Sequence, residues 1–302
     1  MMNKKIAAIV AVAFLLLQGV CFAEKEKFKF SDLKEKVQFD QKTKESAKKT
    51  SEALGKAQEE ITPEEEYYIG RAVAAQLLTQ YKPLKNEKLQ AYLNKICYAL
   101  VINSNKPELY NGYRVMVLDS NEVNAFATPG GHILVTKGLI KCTENEDALA
   151  AVIAHEVAHI QLQHAVKAIK SKRTRAAISS AAKTTTYALG NDALNEMVDS
   201  FDENIGDIVR TMTTAGYSKQ QEFDADNNAL KLLENAGYDP HGLESMLKTL
   251  QQKASSSSGG MYSTHPSPES RLSNVNMRLG KYQYVSNQSV RMPRFKAALA
   301  GL

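Results

Sequence analysis

The stretch VIAHEVAHIQ (152–161) constrains this chain more than any other. Leu149, Val152, Ile153, Val157 and Ile160, with alanines between them, surround its histidines on every side, so a helix here is buried almost all round. Titratable groups inside such a helix need partners, and their spacing suggests one. Positions four apart on an α-helix are separated by about 400°, so His155 and His159 project from one face about a turn apart. Two imidazoles so placed bind one tetrahedral Zn2+, and Glu156 between them can take a proton from attacking water. The pattern predicts metal-assisted hydrolysis, with one zinc per chain.

A third protein ligand is expected. Leu162 and Ala165 stand where a metzincin carries Gly and His, which excludes that class. His164 lies about 180° from His155 if the helix continues, and reads as a surface histidine. The better source is SKQQEFDADNNAL (218–230), where Glu222 and Asp226 again lie four apart. Glu222 is the expected ligand. Asp226 is expected to accept a hydrogen bond from His155 and fix its tautomer.

Around these motifs the chain reads as α+β, mainly helical, with one small sheet. Thr62-Pro63-Glu64-Glu65 is a capping box opening the folded domain at about residue 61, and Lys88 to Ile102 has helical apolar spacing. YRVMVLDS (113–120) and NAFATPGGHILVT (124–136) carry strand patterns broken at Pro129-Gly130-Gly131, and predict a small antiparallel sheet. Thr143 with Glu146 reads as a second capping box, which opens the H-E-x-x-H helix. Residues 176–217 show no strong apolar face and read as loosely packed helices. Ser218 with Gln221 caps a helix to Asn235, Asp239-Pro240 starts another, SSSSGG (255–260) is a loop, and Ser267-Pro268 starts a helix ending near Gly280. The basic tail, 281–302, reads as peripheral to a domain spanning 61–280.

The first 23 residues have the layout of a secretory signal peptide: Lys4-Lys5, an apolar run from Ile6 to Leu17, and small residues Cys21 and Ala23 before a cut. Lipidation at Cys21 and an uncleaved anchor are the alternatives. Removing the segment takes two lysines from the formal charge of +5 and leaves +3, too little to argue for nucleic acid. Residues 24–60 are a charged lead-in poor in apolar side chains. The basic run 167–175 reads as a solvated face or a contact with anionic lipid headgroups, which leaves peripheral membrane association open. Cys97 and Cys142 would meet an oxidising compartment, paired or as two buried thiols.

With both metal motifs placed, the chain resembles metallopeptidase family 48, the gluzincin group of the CAAX prenyl proteases and HtpX-like enzymes. The residues that carry the resemblance are NAFATPGGHILVTKGL (124–139), His155-Glu156-x-x-His159, SKQQEFDAD (218–226) and THPSPESRL (264–272). A single apolar leader makes it similar to the soluble periplasmic BepA-like branch, without CAAX processing and without an obvious helical-repeat partner domain. The resemblance implies a zincin domain in which residues 124–127 form an edge strand, where Asn124, Ala125 and Phe126 hold an extended substrate by main-chain pairing. For Asn124, an ordinary role beside the turn stays open. It also implies that His265 and Arg271 flank the cleft and stabilise the oxyanion. His265 directly follows a Ser/Gly-rich stretch, so it could instead swing in as a fourth ligand and hold the enzyme latent.

The expected function is an exported, periplasmic zinc endopeptidase acting on unfolded or misassembled envelope proteins. A zinc-containing chaperone or scaffold that binds extended chains without cleaving them is the alternative, and a tethered regulator acting through residues 24–60 is a third. Glu156 favours the enzyme, because a structural zinc site needs no base beside an open position.

Overall fold

The computed structural model describes residues 61–167, 205–254, 261–265, 268–285 and 287–302. The expected signal peptide, the charged segment 24–60 and most of the basic run 167–175 lie outside them. Among the described residues, no helix is long and apolar enough to cross a membrane.

Helix α1 (Pro63–Leu77) opens on Thr62 with both arms of the capping box in place, and α2 (Glu87–Ile102) opens on Asn86. Strands β1 (Arg114–Leu118), β2 (Ala125–Thr128) and β3 (His132–Thr136) follow, then α3 (Lys137–Cys142) and the H-E-x-x-H helix α4 (Glu146–Gln161). A π-helical turn, Thr211–Ala215, precedes α5 (Lys219–Asn235), α6 (His241–Ala254), α7 (Met261–Thr264), α8 (Pro268–Leu279) and α9 (Gln288–Leu299).

The sheet is mixed, in the order β1-β3-β2. The Pro129-Gly130-Gly131 turn joins β2 and β3 as an antiparallel hairpin, as its residues predict. The expectation of an all-antiparallel sheet fails at β1, which pairs with β3 in parallel, Val115 opposite Ile133 and Val117 opposite Val135. Residues 119–124 therefore carry the chain past β3, and β2 becomes an edge. Both faces of the sheet are covered, which accounts for the unbroken apolar run in β3. Val115, Val117, Ile133 and Val135 pack into the larger core with α4, while Phe126 and Leu134 join α1 in a second cluster.

Helix α1 fits the hairpin because two glycines let it approach. A Cβ on Gly70 would lie 1.8 Å from the Pro129 carbonyl oxygen, and one on Gly130, at φ +70°, would lie 2.4 Å from the Tyr67 Cα. Residues 205–212, expected to pack loosely, bury Ile205, Ile208, Val209 and Met212 in the same cluster.

Helix α4 starts from a different cap than the sequence suggests. Asn145 Oδ1 accepts from Ala148 N at 2.9 Å, whereas Thr143 ends α3 by donating to the Ile140 carbonyl at 2.6 Å. Glu146 does not reach back to Thr143. Its carboxylate accepts from Tyr92, at 2.7 Å, and Tyr238, at 3.1 Å, and pairs with Arg294. Asp147 pairs with Arg291, 2.5 Å away, and also accepts from Gln288 Nε2 at 2.8 Å and Asp239 N at 3.0 Å. Both arginines sit on α9, so the tail 281–302 is not peripheral: it carries a helix that neutralises two buried carboxylates at the head of α4 and adds Phe295 to the core. Cys97 and Cys142 are free thiols, the first buried and the second half-buried.

Candidate metal centre

Two helices and one short segment build the site. Helix α4 presents His155 and His159 from one face, α5 presents Glu222 and Asp226 near its start, and His265 follows α7. The capping box of Ser218 and Gln221 fixes where α5 begins and hence where Glu222 points.

His155 Nε2 lies 3.0 Å from His159 Nε2 and 3.3 Å from Glu222 Oε2, and His159 Nε2 lies 3.3 Å from Glu222 Oε1. His265 Nδ1 is 2.9 Å from Glu222 Oε1 and 3.4 Å from His155 Nε2. All four side chains are buried, and one ligand atom from each falls within 4.8 Å of the others. Ligands held at the ordinary bond lengths of a tetrahedral Zn2+ stand about 3.3 Å apart. The donor set and its spacing therefore fit such an ion.

Both H-E-x-x-H imidazoles are held from behind. His155 Nδ1 is 2.9 Å from Asp226 Oδ1, and His159 Nδ1 is 2.9 Å from His164 Nδ1. His164 is buried, contrary to the surface position expected for it. The reason is that α4 stops at Gln161; Gln163 then adopts φ 55°, and this left-handed turn folds His164 back against His159. Nothing in the local sequence signals that stop, since the residue that turns is not glycine.

Arg271 is buried against the carboxylates. Its Nε donates to Asp226 Oδ2 at 2.9 Å, Nη2 donates to Oδ1 at 2.6 Å, and Nη1 lies 3.2 Å from Glu222 Oε2. The guanidinium thus borders the ligand set, with Nη2 3.2 Å from His155 Nδ1 and 3.5 Å from its Nε2, while its Nε and Nη2 are taken up by Asp226. Glu156 is buried too, and its Oε1 has no hydrogen-bond partner among the described residues.

These contacts set the local charges. Burial works against the Glu222 carboxylate, but His265, Arg271 and the hydrogen bond to His155 hold it well below its usual range. Burial and Arg271 oppose charge on His155; hydrogen bonds to Asp226 and Glu222 outweigh them and raise it to about 9. His159, with burial dominant, falls to about 3, and burial takes His164 to about 4. Burial raises Glu156 above the ordinary carboxylate range, despite the lowering effect of His265 and His155.

The edge strand β2 packs on α4. Asn124 O accepts from Thr136 N at 3.1 Å, so the alternation of an antiparallel ladder turns the backbone groups of Ala125 and Ala127 away from β3. The Asn124 side chain is engaged locally: Oδ1 accepts from Ala125 N at 2.9 Å and Nδ2 donates to Glu122 Oε1 at 3.1 Å. Phe126 is buried in the second core cluster, its ring 5.3 Å from that of Tyr81. A second residue that sequence reasoning passes over is Tyr217, whose ring stacks on His159 at 4.2 Å. Only its place beside the Ser218 cap could have drawn attention to it.

Comparison with known proteins agrees with this geometry. The family model described as peptidase family M48 matches residues 83–279. A beta-barrel assembly-enhancing protease of Escherichia coli (strain K12) is 29% identical over 217 residues, covering 68% of this chain and 42% of that protein. The mitochondrial metalloendopeptidase OMA1 of Arabidopsis thaliana is 30% identical over 163 residues, 53% of this chain and 30% of that one. The metalloprotease YcaL of Escherichia coli (strain K12) is 26% identical over 195 residues, 65% and 72% of the two chains. The chain thus spans less than half the length of the assembly-enhancing protease it matches.

Proposed function

We propose, since the chain belongs to peptidase family M48, that this metallopeptidase is an exported zinc endopeptidase that cleaves unfolded or misassembled envelope polypeptides. The observation that carries the reading is the buried convergence of His155, His159 and Glu222 beside a Glu156 oxygen with no partner among the described residues. The leader-like residues 1–23 support export to the periplasm, and the assembly-enhancing relative supports substrates of the envelope. Peripheral association with a membrane belongs to the same proposal.

When bound, Zn2+ polarises the scissile carbonyl and acidifies the attacking water. His155, His159 and Glu222 would hold it. Asp226 keeps the His155 Nδ1 proton in place, so that Nε2 faces the ion, and Arg271 keeps Asp226 and Glu222 ionised in a buried setting. Glu156 accepts the proton of the attacking water and passes it to the leaving amine. On the outer edge of β2, the Ala125 carbonyl and the backbone groups of Ala127 pair with an extended substrate by main-chain hydrogen bonds, the Ala125 N–H being held by Asn124. That mode reads backbone and favours unfolded chains. Asn124 then acts by shaping the start of the edge strand, and Phe126 by anchoring it in the core.

His265 is better placed as a fourth ligand than as an oxyanion donor, given its 2.9 Å approach to Glu222. Four protein ligands close a zinc site, and catalysis needs one position open. The closeness of His265 to Glu222 supports a latent enzyme that opens when His265 leaves. His265→Ala is expected to raise the rate of casein cleavage several-fold. A fall in rate would return His265 to the oxyanion role.

The chaperone or scaffold reading shares the edge strand but leaves Glu156 without work. Incubating the chain with an unfolded protein such as β-casein separates the two. Peptide fragments that appear with time support the peptidase; an intact casein kept from aggregating supports the scaffold.

A further inference from the structure

Among the described residues, four buried side-chain atoms have no hydrogen-bond partner: His132 Nδ1, Glu156 Oε1, Tyr217 Oη and Gln288 Oε1. Two of the four belong to the metal centre. One is a carboxylate acceptor, the other a phenol donor. Leaving a buried hydroxyl unpaired is costly, and the surroundings of Tyr217 give it no freedom to avoid that cost. Its ring stacks on His159 at 4.2 Å and 26°. Its backbone N–H donates to the Thr264 carbonyl at 3.0 Å, and the next residue, Ser218, caps α5. The phenol is thus fixed in place from both flanks.

Hydrolysis of a peptide bond needs a donor for the oxygen on which negative charge develops. Arg271 is committed to Asp226 and Glu222, and His265, read above as a ligand that leaves when the enzyme opens, is not held fixed for this task. Among the described residues, the phenol of Tyr217 is a donor beside His159 that has no partner of its own. We propose that Tyr217 is a catalytic residue whose O–H hydrogen-bonds the carbonyl oxygen of the scissile peptide as that oxygen becomes an oxyanion.

The step balances with water as the only co-reactant. Water oxygen bonds to the carbonyl carbon while Glu156 takes one of its protons, and the carbonyl π pair moves onto the oxygen held by Tyr217. The pair then returns, the C–N bond breaks, and Glu156 delivers its proton to the departing amine. Tyr217 keeps its own proton throughout. Glu156 and Tyr217 thus supply an acceptor and a donor that have no hydrogen-bond partner among the described residues.

This inference rests on the peptidase reading above, and Tyr217→Phe tests it, because phenylalanine keeps the ring on His159 and removes only the hydroxyl. In the full zinc-loaded chain, kcat for a peptide substrate is expected to fall about 100-fold or more while KM stays within about twofold. Zinc content should be unchanged, the thermal midpoint equal or higher, and affinity for a phosphinic peptide, which mimics the tetrahedral oxygen, weaker by a factor similar to the loss in kcat. Unchanged kcat and phosphinic affinity would show that the phenol only packs, and loss of zinc would show that it serves His159 instead. If wild type neither cleaves peptide nor binds the phosphinic peptide, the peptidase reading falls and takes this inference with it. If wild type does both and Tyr217→Phe matches it, this inference alone falls.

Discussion

Glu156→Gln is expected to keep its metal and to lose peptide-bond cleavage by about 10²–10⁴-fold, the range for removing a positioned general base. The substitution is nearly isosteric, and Glu156 is not among the four residues whose ligand atoms converge. The metal should therefore stay. Its Oε1 has no partner among the described residues, so no structural hydrogen bond at that atom is lost. Burial raises the folded pKa of Glu156 above its ordinary value. A buried acid shifted in that direction costs stability as pH rises through its unfolded pKa, so near neutrality the amide should leave the thermal midpoint equal or higher. Cleavage lost together with unchanged metal content and an undiminished midpoint identifies a catalytic group. Metal lost with activity would make Glu156 part of the binding site instead.

Arg271→Ala should act in the opposite way, on stability first. Arg271, Asp226 and Glu222 are all buried, and the guanidinium holds both carboxylates at 2.6–3.2 Å. Removing one partner of a buried ionic cluster costs about 3–5 kcal/mol, because the remaining charges stay in the interior without compensation. Zinc affinity is expected to fall about 10–100-fold as well, since Asp226 would no longer be fixed against His155. Arg271→Lys should recover little, because an ammonium cannot repeat the two-pronged contact with Asp226. Thermal unfolding and zinc titration of the three proteins check this. A melting temperature for Arg271→Ala within about 2 °C of wild type would mean that the cluster does not stabilise the fold.

The two predictions separate the chemistry of the site from its frame, and the sequence exposes these two layers unequally. The H-E-x-x-H spacing and the Glu222/Asp226 pair were legible because helical periodicity converts i, i+4 directly into a shared face. Capping boxes at Thr62 and Ser218 were legible for the same local reason. Features set by tertiary packing were not. The parallel pairing of β1 with β3 depends on a six-residue passage whose direction no residue type specifies. His164 reaches His159 through a left-handed glutamine rather than a glycine. The buried role of α9 was hidden because Arg291 and Arg294 read as surface charge until Asp147 and Glu146 are seen beneath them. Arg271 stands out through the motif that carries the family resemblance, but its two carboxylate partners lie on another helix, Asp226 being 45 residues away. Tyr217 belongs to no motif and only neighbours the Ser218 cap; its hydroxyl, without a hydrogen-bond partner among the described residues, is what marks it.

The central claim is that His155, His159 and Glu222 hold one zinc that is required for cleavage. The direct measurement is zinc per chain and casein cleavage on one preparation, before chelation, after it, and after adding back a single equivalent of Zn2+. One zinc per chain is expected, with cleavage abolished on its removal and restored in proportion to its return, and neither zinc nor cleavage in His159→Ala. Cleavage that persists in the zinc-free chain, or a full equivalent of zinc retained by His159→Ala, would contradict the claim.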